Sequence, residues 1–174
     1  MRYLFDIEST GLLRQNSQLH CIVLRDLDDY NADPLVFDTV KKNIEDGVDL
    51  LQKAELLAGH NICNYDLALL QELYPDFKIA DTLMDTLILS RIYYPNITNR
   101  DYERRPRGLP KKLYGSHSLK AWGIRLGEFK GDFAESNDWS TYSEEMLQYC
   151  IQDTTVNLRL YDLLNQRINE TINA

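Results

Sequence analysis

An α/β fold on a mixed central sheet, three antiparallel strands followed by parallel crossover strands and flanked by helices, is what this 174-residue chain predicts. Two observations carry that expectation. Strand-like segments crowd the start of the chain, and helical periodicities then alternate with short apolar runs. The length and a hydrophobic content of 44% allow one well-filled core, so residues 1–174 are expected to form a single domain.

Residues 2–7 (Arg-Tyr-Leu-Phe-Asp-Ile) and 19–25 (Leu-His-Cys-Ile-Val-Leu-Arg) read as strands, joined through Ser9-Thr10-Gly11 and a polar turn. Pro34 to Phe37 reads as a short third strand. Val40, Ile44, Val48 and Leu51 recur at helical spacing and predict a helix over 39–53. Leu56-Leu57-Ala58-Gly59-His60 then reads as a short buried strand, completing a crossover. Leu67, Leu69, Leu70 and Leu73 predict a helix over 65–73, and Asp85 is placed to cap the apolar run Leu87, Ile88, Ile92. From Tyr94 to Tyr114, three prolines and Gly108 lie among basic residues, which predicts a long mobile loop. Ser118 caps a predicted helix ending at Gly127. Glu144 to Ile168 is a long amphipathic helix carrying Met146, Tyr149, Val156, Leu160, Leu163 and Leu164.

The opening MRYLFDIES has no basic leader, apolar core or cleavage signal, and no apolar stretch approaches membrane-spanning length. The expectation is a chain that is not secreted, works in the cytoplasm and has no membrane partner. Cys21, Cys63 and Cys150 are widely spaced and odd in number, which argues against a disulfide framework and a zinc site. The net charge of -8 speaks against a polyanionic partner, yet it is unevenly spread. Residues 100–130 carry nine basic and three acidic side chains, a local +6, and the remainder carries -14. Such a stretch is either a solvated surface or a phosphate contact.

Three acidic motifs stand out. In Asp6-Ile7-Glu8, strand alternation aims both carboxylates to one face, where hard divalent cations with oxygen ligands would supply the counter-charge. His60-Asn61-Ile62-Cys63-Asn64-Tyr65-Asp66 sets Asp66 in a first helical turn, a position the helix dipole also favours without a metal. Tyr149 and Asp153, spaced i, i+4 on the long helix, share a face. Singly, each motif has a plain reading as a solvated acid or a cap.

In content and order, however, this set resembles the DEDD superfamily of 3′-5′ exonucleases, in the branch with Tyr in its third motif. It is most similar to the proofreading exonuclease domain of phage-type family A DNA polymerases. The likeness runs from Asp6 to about Val156 and takes in Asp85-Thr86-Leu87-Ile88-Leu89-Ser90-Arg91 and Gly115-Ser116-His117-Ser118-Leu119-Lys120-Ala121-Trp122-Gly123-Ile124-Arg125-Leu126-Gly127. Trp139-Ser140 ahead of Tyr149 is also similar to ribonuclease D. The resemblance implies a ribonuclease-H-like fold and two Mg²⁺ or Mn²⁺ ions held by Asp6, Glu8, Asp66 and Asp153. Asp6 would bridge both ions, Glu8 and Asp153 would complete the nucleophile side, and Asp66 would serve the leaving-group side. Tyr149 would orient the attacking water by hydrogen bond.

The implied reaction is hydrolysis of single-stranded or frayed DNA ends to nucleoside 5′-monophosphates, with a DNA polymerase domain or replication proteins as partners. Leu12 would be an apolar wedge at the terminal base, and Asn61 and Tyr65 would lie near the last sugar or phosphate. Thr10, His117 and Lys120 complete the expected substrate contacts, and His60 is expected to be structural or phosphate-facing because hard cations prefer oxygen. A ribonuclease D-like exonuclease acting on RNA would use the same residues. A catalytically silent module that binds nucleic-acid ends is the alternative of another class.

Overall fold

The computed structural model describes residues 1–10, 17–128 and 139–173. Leu12, the expected wedge, and Lys130 of the basic stretch lie outside the described residues. Five strands form one sheet: β1 (Arg2–Ser9), β2 (Leu19–Asp26), β3 (Leu35–Asp38), β4 (Leu56–Gly59) and β5 (Thr82–Asp85), in the order β3-β2-β1-β4-β5. β1 pairs antiparallel with β2 and β2 with β3, whereas β4 runs parallel to both β1 and β5. This is the mixed sheet expected from the sequence.

Alternation on the central strand decides what each face holds. Tyr3, Phe5 and Ile7 point into a core shared with Val48 and Leu51 of α1 (Ile44–Gln52) and Leu67, Leu69 and Leu70 of α2 (Asp66–Leu73). The even positions meet α6 (Glu144–Ile172) on the other face, where Leu4 packs with Ala58 and Tyr161. Asp6 and Glu8 share the parity of Leu4, so they fall on the face that α6 crosses. Arg25 of β2 donates to the hydroxyls of Thr154 (3.2 Å) and Thr155 (2.7 Å), which fixes α6 along the sheet.

The remaining helices are α3 (Thr86–Tyr93), α4 (Ile97–Arg104) and α5 (Leu119–Leu126). Asp85 and Ser118 act as the predicted caps. The Asp85 carboxylate accepts from the Leu87 and Ile88 N–H groups, and the Ser118 hydroxyl accepts from that of Ala121. Gly127 ends α5 in the left-handed region at φ +74°.

Two expectations are corrected. The helix predicted over 39–53 begins only at Ile44, because Asp38 accepts from the Lys41 N–H at 2.7 Å and holds a turn that leaves Val40 exposed. The stretch 94–114, expected as a loop, contains α4 and a 3-10 turn at Lys111–Leu113. Its organiser is Asp101, only 2% exposed, which takes a bidentate pair of bonds from Arg125 (3.0 and 2.7 Å) and a third from the Gly115 N–H (2.9 Å). Gly115 is required there: it sits at φ +79°, and a Cβ would lie 2.3 Å from the Thr98 hydroxyl of α4. Among the described residues, no helix is long and apolar enough to cross a membrane.

Candidate active site

Three elements bring the acidic motifs together. Asp6 and Glu8 come from the end of β1, Asp66 opens α2 just beyond β4, and Asp153 reaches in from α6 with Tyr149 one turn earlier. Asp66 is 5% exposed, and Asp6, Glu8 and Asp153 are half-buried. The ligand atoms of Asp6, Glu8 and Cys150 lie within 4.8 Å of one another. The Cys150 thiol, fully buried, donates to the Asp6 backbone carbonyl at 3.5 Å and so braces the strand under the site.

The electrostatics are those of negative charge awaiting a counter-charge. Burial pushes the Asp6 carboxyl well up, and Glu8, Asp66 and Asp153 add repulsion. Glu8 is raised to about 9 by burial first, then by Cys21, Asp153 and Asp66. Asp66 is raised to about 7 by burial, against the backbone N–H groups of Asp66 and Ile7, which favour its charged form. Asp153 is raised to about 6 by burial, against the Tyr149 hydroxyl that donates to it. Burial and the neighbouring acids push the Tyr149 phenol itself upward, so it is a neutral donor at ordinary pH. Hard oxygen donors with uncompensated charge fit divalent cations of the Mg²⁺ type, whereas the Cys150 thiol does not.

The loop that delivers Asp66 is held by a residue with two tasks. Besides capping α3, Asp85 accepts from the N–H groups of Asn61 (3.0 Å) and Cys63 (3.1 Å), fixing Asn61 at φ +67°. Gly59 allows the chain to turn here, since a Cβ would lie 2.2 Å from the Ile62 side chain and 2.9 Å from the Phe5 carbonyl oxygen. His60 bonds through Nδ1 to Thr86 Oγ1 (2.9 Å), and burial lowers it to about 4. It is therefore a neutral structural residue, tied to α6 through the 2.7 Å bond from Thr86 to Asn157.

Of the expected substrate contacts, Asn61 and His117 line one open groove of about 640 Å³, together with His60, Arg91, Ser116 and Leu119. His117 Nδ1 bonds to Ser90 Oγ at 2.9 Å. Tyr65 bonds through its hydroxyl to Ser9 at 2.6 Å, linking the first two motifs. Thr10 bonds to His20, and Lys120 is half-buried on α5 without lining the groove.

His20 escaped the sequence reading. The β1–β2 register passes from Glu8 opposite Cys21 to Ser9 opposite Leu19, so His20 is the extra residue of a bulge. Its Nε2 lies 3.0 Å from Thr10 Oγ1 and 3.3 Å from the Trp139 carbonyl oxygen. A carbonyl only accepts, so Nε2 carries the hydrogen. Trp139 in turn packs edge-on against Tyr149, with ring centroids 5.8 Å apart. A polar residue inside an apolar strand was the available signal.

No family model matches the chain. Curated relatives do: the DNA-directed DNA polymerases of Enterobacteria phage T3 and Escherichia phage T7 are each 31% identical over 91% of this chain. The chain spans about a quarter of their length, 26%. Among solved structures, Brucella melitensis NrnC bound to pGG is 19% identical with a TM-score of 0.65, over 98% of this chain and 74% of that one. NrnC with bound Mg²⁺ superposes equally well, at 0.64, with the same identity and coverage. The resemblance read from the motifs is thus borne out: the chain is a homologue of a segment of the phage T3 and T7 DNA polymerases and carries the ribonuclease-H-like fold shared with nucleases.

Proposed function

We propose that the chain is a divalent-metal-dependent 3′-5′ exonuclease that hydrolyses single-stranded or frayed DNA ends to nucleoside 5′-monophosphates. The observation that carries this reading is the convergence of Asp6, Glu8, Asp66 and Asp153 at the end of β1, with the Tyr149 hydroxyl on Asp153. Asp6, Glu8, Asp66 and Asp153 would hold two Mg²⁺ or Mn²⁺ ions, which when bound offset the charge that builds on the attacking and leaving oxygens of a phosphodiester. Tyr149, kept protonated with its one hydrogen on Asp153, orients the attacking water as a hydrogen-bond acceptor and does not serve as the base. The groove beside Asn61 and His117 receives the 3′-terminal nucleotides.

Homology to DNA polymerases supports DNA as the substrate and a polymerase as the natural partner. The Mg²⁺-bound and pGG-bound forms of NrnC support metal use and a nucleic-acid ligand. The test is a time course on 3′- and 5′-labelled single strands of DNA and RNA, with Mg²⁺, Mn²⁺ or chelator, beside Asp6→Ala. The expected result is stepwise loss of DNA from the 3′ end, abolished by chelator and by the substitution. Activity that survives Asp6→Ala would remove the site assignment, and a strong preference for RNA would overturn the substrate.

His20 enters this mechanism as a positioning residue, through Trp139 to Tyr149. His20→Leu is expected to lower kcat about 10–100-fold with little change in KM, the range for residues that orient a site from behind. His20→Gln, which keeps an N–H able to reach the Trp139 carbonyl, should recover most of the loss. Equal defects in the two variants would show that the hydrogen bond is not what matters.

A further inference from the structure

The carboxylate site leaves the basic segment after α4 unexplained. Arg104, Arg105, Arg107, Lys111 and Lys112 are all exposed, and no ion pair ties any of the five to a carboxylate among the described residues. They do not ride on a slack loop. Asp101 anchors the segment at one end through Arg125 and at the other through the Gly115 N–H. Arg105 occupies the left-handed position that ends α4 (φ 46°, ψ 64°), where glycine or asparagine is the usual residue. Tyr102, 60% exposed, stands edge-on to Tyr114 at 5.1 Å and offers an aromatic surface among the cations.

From these observations we propose that residues 102–114 form a strand-guiding arm. It binds the phosphates of a single-stranded nucleic acid several nucleotides upstream of the end that lies in the active site. Continuity supports this path: Tyr114 passes directly into Gly115 and Ser116, which form one wall of the groove whose other wall includes His60 and Asn61. The same loop delivers Asp66. The charge distribution favours a contact of this kind, because residues outside 100–130 carry a net -14, which repels a polyanion, while this segment is locally positive. Backbone contacts by cations, with stacking on Tyr102, would bind any sequence of sufficient length. The arm rests on the exonuclease reading for its purpose, and on its own geometry for its ligand.

The test separates long from short substrates. Arg104→Gln, Arg107→Gln, Lys111→Gln and Lys112→Gln are combined in one variant, at exposed positions outside the carboxylate site. Affinity for a fluorescein-labelled DNA single strand of about 12 nucleotides is read by anisotropy in chelator across a salt series. Release of p-nitrophenol from the p-nitrophenyl ester of thymidine 5′-monophosphate, with Mn²⁺, reads the catalytic centre alone. The expected result is a loss of tenfold or more in affinity for the long strand, with unchanged turnover of the small ester. The log–log salt slope should also fall by about 0.7 for each phosphate contact removed. Unchanged affinity for the long strand, or an equal loss on both substrates in a variant that melts like the wild type, would overturn the arm. If the wild-type protein released no p-nitrophenol here and no mononucleotides in the labelled-strand time course, the exonuclease reading would fail, and the anisotropy series would still decide whether the arm binds the strand.

Discussion

Replacing Asp6 with Asn is expected to lower nuclease turnover about 10³-fold or more, while raising the melting temperature of the protein in chelator near pH 8. The first effect follows from the several kcal/mol of transition-state stabilisation that depend on a complete ligand set, each 1.36 kcal/mol being about tenfold in rate. The second follows from the cluster itself. Asp6 has its own carboxyl pushed well up, by burial first and then by repulsion from Glu8, Asp66 and Asp153. An isosteric amide removes that repulsion, and each 1 kcal/mol regained should raise the melting temperature by about 2–4 °C in a chain of this size. A residue retained only for packing would give the opposite sign. Activity within tenfold of wild type, or a lower melting temperature in chelator, would sink the idea.

The same cluster fixes the direction of the pH dependence. Glu8, Asp66 and Asp153 are raised to about 9, 7 and 6, above the ordinary values of 4.5 for Glu and 3.8 for Asp. A carboxyl raised on folding contributes stability that is complete below its unfolded pKa and is lost as pH rises through its folded pKa. Without metal, then, stability falls as pH climbs from about 4 to about 9. Mg²⁺ or Mn²⁺ should reverse that fall, and Asp6→Asn should flatten it. Melting curves at both ends of the range, with and without metal, read all three.

Much of the site was legible because its signals are local. A strand with period two told that Asp6 and Glu8 share a face, and the i, i+4 spacing told the same of Tyr149 and Asp153. What stayed hidden depends on distant partners. α4 buries only Ile97 and Asp101, so its inner face shows no apolar stripe, and the partner that makes Asp101 a core residue lies 24 positions away. β5 is a four-residue edge strand with Leu83 exposed, recognisable by its pairing to β4 rather than by alternation. Asp85 announced its role as a cap, but its hold on the 61–63 loop is a contact 22 to 24 residues long in sequence. The bulge at His20 adds one residue to an otherwise regular strand and leaves the hydrophobic pattern around it intact.

Arg125→Met is expected to be the most destabilising single change outside the hydrophobic core. The Arg125 and Asp101 side chains are 8% and 3% exposed and meet at 2.7 Å. Burial pushes the Asp101 carboxyl up, yet the donors from Arg125 and Gly115 outweigh it and hold the group below its ordinary value. Arg125 also donates to the Ser116 carbonyl at 2.7 Å and lies over the Trp122 ring at 5.1 Å. Removing the cation leaves a buried carboxylate with the Gly115 N–H as its remaining anchor, and breaking such a pair costs about 3–5 kcal/mol, or about 6–20 °C in melting temperature. Adding Asp101→Asn should recover part of that loss, because the amide needs no counter-ion and its oxygen can still accept from Gly115. The functional consequence has its own sign. Gly115 and Ser116 form a wall of the groove and the root of the basic arm, so loosening them should raise KM for a single strand more than it lowers kcat. A loss below about 1 kcal/mol would mean that the pair behaves like an exposed one. In that case the order of residues 97–117 would have to come from the buried Ile97 and Leu109, the Tyr102–Tyr114 contact, the His117–Ser90 bond and the fit of Gly115 against Thr98.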